Sequence, residues 1–121
     1  MQRLTQAVLR DQILDALNEF WFLRSVEEIE RTEITFLFRL QTFRAGLFVQ
    51  VFWGTRSRTL SLALIESERR IFGIDFQRDQ WHLHPFGNAE SHTPLLSEMG
   101  DNPIHSFLTQ VEDILVANDL L

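Results

Sequence analysis

The chain has no cysteine and no lysine, and nowhere in its 121 residues do 18 apolar residues run together. Without cysteine there is no thiolate nucleophile and no thiolate zinc site, and the composition suits a reducing compartment. Without a long apolar run, no membrane-spanning helix is expected. The N-terminal MQRLTQAVLRDQ reaches charged residues too soon for a signal peptide, so the expected localisation is cytoplasmic. There is no G-x-G-x-x-G, P-loop, G-x-S-x-G or EF-hand loop, and no DDxxD-type acid cluster. The familiar motifs for nucleotide, acyl-transfer and calcium chemistry are therefore missing. The acids Glu27, Glu28, Glu30 and Glu33 read as a solvated edge, since a metal site needs convergent oxygens.

What is present is unevenly placed. The net charge of −6 weighs against a simple nucleic-acid binder. Yet residues 31–78 hold eight Arg against four acids, a balance of +4, while residues 80–121 hold six acids and no Lys or Arg, a balance of −6. The positive segment can face a phosphate-bearing or acidic partner, or it can coat a solvated sheet and blunt its edges.

The length fits one domain with its own core. Residues 4–20 read as a helix, with Leu9, Ile13, Ala16, Leu17 and Phe20 at helical spacing and Thr5 as N-cap. FWFLRSVEEIE fits either an extension of that helix or a strand. The middle alternates with period two. Ile34, Phe36, Phe38 and Leu40 share one face, and the next strands place Leu47, Val49, Val51 and Trp53, then Leu60, Leu62 and Leu64, then Phe72, Ile74 and Phe76 inward. WHLHP closes the run at Pro85, and residues 86–103 read as a loop. Asn102 and Pro103 then open a helix with an apolar stripe of Ile104, Phe107, Leu108, Val111, Ile114 and Leu115. Short connections make the strands antiparallel neighbours. The expected fold is α+β: a curved antiparallel meander of five to six strands, with the N- and C-terminal helices on one face. Trp21, Phe22 and Phe43 fall outside the clean faces. They are candidates for an interface with a partner or a second copy of the chain, or for ordinary packing at the sheet ends.

GIDFQRDQWHLHPFG, residues 73–87, carries the chemistry-bearing residues. His82 and His84 lie two apart in a strand and so project from one face. Asp75 lies on the neighbouring strand across a short turn, where a carboxylate can orient an imidazole. His92 follows in a loop and can return to the same place. Arg70, Arg56 and Arg58 are candidates to hold an anionic group. His, Arg and a carboxylate are the parts of a metal-independent nuclease. Three readings stay open: acid–base chemistry with no cofactor, a His-based metal site, and a non-catalytic interaction module using an Arg- and aromatic-rich sheet face. His105 reads as solvated.

Over RRIFGIDFQRDQWHLHPFGNAESHTPLL the chain resembles the TumE-like toxin components of bacterial toxin–antitoxin modules. The matched positions are Arg70, Asp75, His82, His84 and His92, with Phe76 where the family pattern often has Asn. The resemblance implies one half of a two-gene pair, neutralised by a DNA-binding antitoxin protein and directed at RNA. In that reading His82 or His84 exchanges a proton with His92 as its complement, Asp75 orients an imidazole, and Arg70 clamps phosphate.

Overall fold

The computed structural model describes residues 3–95 and 98–121. Met1 and Gln2 of the N-terminal stretch, and Leu96 and Ser97 of the expected 86–103 loop, lie outside the described residues. Helix α1 (Gln6–Glu19) starts where Thr5 Oγ1 accepts a hydrogen bond from Val8 N at 3.1 Å, and it ends at Phe20, whose backbone turns extended. Seven strands follow: β1 (Leu23–Arg31), β2 (Thr35–Thr42), β3 (Leu47–Gly54), β4 (Thr59–Glu66), β5 (Arg69–Gln77), β6 (Gln80–His84) and β7 (Thr93–Pro94). Helix α2 (Pro103–Ala117) closes the chain, with Asn102 Oδ1 accepting from His105 N at 2.9 Å. The strands form one antiparallel sheet in sequence order, the expected meander.

The strand count is one or two above expectation. FWFLRSVEEIE contributes β1 rather than more helix. It is an edge strand with two register shifts, and six of its nine residues are exposed, which leaves no regular apolar stripe. β7 has only two residues, too few to show alternation, and pairs His82 with Pro94 and Leu83 with Thr93. Pro94 has no N–H to donate, which an edge position tolerates.

One face of the sheet carries the core. Phe36, Phe38, Leu40, Val49, Val51, Trp53, Leu60, Leu62, Leu64, Phe72 and Ile74 are buried there against Leu9 and Ile13 of α1 and Phe107, Leu108 and Val111 of α2. Phe72 and Phe107 stack with centroids 5.3 Å apart at 12°. Trp53, fully buried, keeps its indole N–H satisfied by Thr55 Oγ1 at 2.9 Å. Each such side chain contributes about 1.5–3 kcal/mol through burial. Ile34 and Leu17, expected inward, are 36% and 37% exposed; Ile34 lies in the β1–β2 turn, one residue before β2 begins, and so outside the alternation of the strand. Phe22 is fully buried and so is no interface residue, whereas Trp21 and Phe43 are 62% and 66% exposed.

Candidate functional site: an imidazole cluster on the open sheet face

Strand alternation puts the polar partners on the face away from the helices. Across β4, β5 and β6 the register aligns Ser61, Asp75 and His82 in one row, and Ala63, Gly73 and His84 in the next. Their chain neighbours Leu62, Ile74 and Leu83 point into the core side, so one stretch of sequence furnishes both faces.

Within the cluster, Asp75 does not bind the histidine opposite it. Its Oδ2 meets Nε2 of His84 diagonally at 3.0 Å, and its Oδ1 accepts from Ser61 Oγ at 3.0 Å. Nδ1 of His84 faces two carbonyl oxygens, Ser91 O at 2.9 Å and Ala89 O at 3.2 Å. A carbonyl can only accept, so Nδ1 carries a proton. Arg70 Nη2 lies 3.3 Å from the same nitrogen, but two donors cannot bond each other, and the shorter contact to Ser91 O fixes the assignment. The Arg70 guanidinium is held instead by Asp75, with Nη1 3.8 Å from Oδ2. His84 is 7% exposed. With both ring nitrogens engaged, it is a brace between strand and loop rather than a group free to meet a substrate.

The brace shapes the segment that follows. Asn88 N bonds Pro85 O and Ser91 N bonds Asn88 O, both at 3.0 Å, so residues 85–91 form two successive tight turns. Gly87, at φ +87°, supplies the left-handed residue in the first. His84 holds the second by its carbonyls, and His92 emerges beside it. The His92 ring lies 4.3 Å from His82 and 5.2 Å from His84, centroid to centroid. His92 is exposed and His82 half-buried, and Nδ1 of His82 is buried with no hydrogen-bond partner among the described residues. A buried polar atom without a partner carries a desolvation penalty of about 1–3 kcal/mol, which a bound group can relieve.

Arg70 reaches this cluster because Gly73 has no side chain. A Cβ at Gly73 would lie 3.2 Å from Arg70 Cδ and 3.1 Å from Leu62 O, and the Arg70 stem occupies that room. Arg56 and Arg58 do not join it. They lie in the β3–β4 turn, and a meander puts successive turns at opposite ends of the sheet. The eight residues of β4 separate them from Arg70, roughly 25 Å at the usual rise. Arg58 is instead occupied locally, its guanidinium 5.5 Å from the Trp53 ring centroid and its Nη1 3.3 Å from Leu4 O. The alternation of turn ends was available in the sequence and would have separated these arginines. Ser61 was missed too: the Ser67–Glu68 turn alone would set Leu60 opposite Asp75, and a register shift between the Ile65–Arg70 and Leu64–Phe72 pairs brings Ser61 there instead.

Among the described residues no three His, Asp or Glu side chains are arranged to hold a metal ion. His105 is exposed and lies 3.6 Å from Glu19. No described helix is long and apolar enough to cross a membrane. Compared with known proteins, the chain matches no family model, no curated protein and no solved structure.

Proposed function

We propose that this chain is the toxin component of a toxin–antitoxin pair and cleaves RNA without a metal ion, His82 and His92 exchanging the protons. The observation that supports this reading is the contact between those two rings, 4.3 Å apart, beside a guanidinium fixed by a carboxylate. In such a reaction one imidazole takes the proton of a ribose 2′-hydroxyl as its oxygen attacks phosphorus. The other delivers a proton to the departing 5′ oxygen, leaving a 2′,3′-cyclic phosphate and a 5′-hydroxyl. Arg70 meets the charge that builds on the phosphoryl oxygens. Asp75 and His84 are positioning residues: the carboxylate holds Arg70 and His84, and His84 holds the loop that presents His92.

Trp21 and Phe43 favour a second role for the same molecule. They flank the end of the β1–β2 pair at Leu23 and Thr42, and both are largely exposed. That patch suits docking of the antitoxin protein, a non-catalytic use of exposed aromatics. The reading is tested by inducible expression of the chain alone in the bacterial cytoplasm. Growth arrest with the wild type, relieved by His82→Ala/His92→Ala at equal protein level, is the expected result. Equal growth of both cultures and an empty control would remove the toxin reading.

A further inference from the structure

A groove of about 780 Å³ lies between the β4–β5 hairpin turn and the 85–91 loop. Ser67, Arg69 and Arg70 form one wall, and Phe86 and Asn88 the other. The size is that of a small-molecule site. The Arg69 side chain is exposed and makes no hydrogen bond or ion pair among the described residues. Phe86 is 39% exposed on a loop that two tight turns and the His84 brace hold in place. Of the acids lining the groove, Glu66 is met from outside by Arg44 at 3.5 Å, and Glu90 is exposed. With the outside partners Arg44 and Asp75 counted, three guanidinium groups stand against three carboxylates, and Arg69 is the guanidinium of the groove with no ion pair among the described residues. Arg70 belongs to both sites, since it lines the groove and also contacts Asp75 and His84.

We propose that this groove seats a nucleotide of single-stranded RNA, its base on Phe86 and its phosphate on Arg69, with the next phosphate delivered over Arg70 to His82 and His92. The proposal rests on the ribonuclease reading and names where the strand enters. An aromatic ring beside a free guanidinium is the pairing that single strands use, because every base has a face to stack and every linkage a charge. An exposed carboxylate at the rim, Glu90, can accept from a base amino group or the ribose 2′-hydroxyl, a donor that DNA lacks. The rigidity of the loop lowers the ordering cost of binding.

The test measures binding apart from cleavage. Fluorescence anisotropy of a labelled short single-stranded RNA is followed in a His92→Ala background at low salt. Phe86→Ala is expected to weaken binding about tenfold. Phe86→Trp keeps a stacking surface and is expected to bind as its parent does, which separates a lost contact from a lost fold. Arg69→Ala is expected to weaken binding several-fold and to reduce the salt slope by about one. Arg56→Ala, at the far end of the sheet, is expected to change nothing. Unchanged affinity in Phe86→Ala, or an equal loss in Arg56→Ala, overturns the groove while leaving the ribonuclease reading standing. No RNA binding by the parent, together with no growth arrest by the wild type, overturns both.

Discussion

The two faces of one sheet are built on different terms, and β5 and β6 show it residue by residue. Phe72, Ile74 and Leu83 turn toward the helices, where packing alone holds them. Gly73, Asp75, His82 and His84 turn the other way, where small and polar groups are held by directed bonds. The covered face joins many interchangeable apolar contacts. The open face depends on a few pairs: Asp75 with His84, His84 with two loop carbonyls, His82 with His92. The first arrangement makes the protein stable, and the second leaves atoms unpaired. Nδ1 of His82 and the Arg69 guanidinium, neither with a partner among the described residues, both belong to the open face or its end.

This contrast can be broken from either side. Phe107→Ala removes the ring stacked on Phe72 and leaves a cavity under the sheet, so a loss of about 3–5 kcal/mol is expected in chemical denaturation. Asp75→Ala strips His84 and Ser61 of a shared acceptor in a nearly dry site, and about 1–3 kcal/mol is expected. Its sharper signature is local: amides of residues 86–92 should exchange faster, while those of β2 and β3 keep the protection that the remaining stability allows. An Asp75→Ala variant with a loop as protected as the wild type would refute the brace. His92→Ala, at an exposed site, should shift stability by no more than about 0.5 kcal/mol in the same titration. The order reverses for activity, where His92→Ala should cost the most relative to its effect on folding.

Much of the covered face was legible in the sequence, because burial leaves a period. The alternation from Phe36 to Phe76, the stripe from Ile104 to Leu115, and the caps at Thr5 and Asn102 all stand where they were read. Where burial fades, so does the signal. β1 is an edge strand rich in Glu and Arg, and β7 is two residues long. The open face was legible as far as period two reaches: it put His82 and His84 together and brought Asp75 alongside. Which histidine Asp75 would bind was not legible. Loop carbonyls of Ala89 and Ser91 draw His84 into the bonded network, and a carbonyl belongs to the backbone, so no residue type announces it. The room for Arg70 has a plainer origin, a single glycine at position 73.

In the proposed reaction His82 and His92 act as a proton-exchanging pair that the Asp75–His84 brace holds in place. The most direct measurement is cleavage of single-stranded RNA by the purified chain in excess EDTA, wild type against His92→Ala, at matched folded fraction. Metal-independent cleavage to 2′,3′-cyclic phosphate ends, reduced about 10²–10⁴-fold in the variant with its melting temperature unchanged, is the predicted result. Intact RNA with the wild type, or equal cleavage by both proteins, would contradict it.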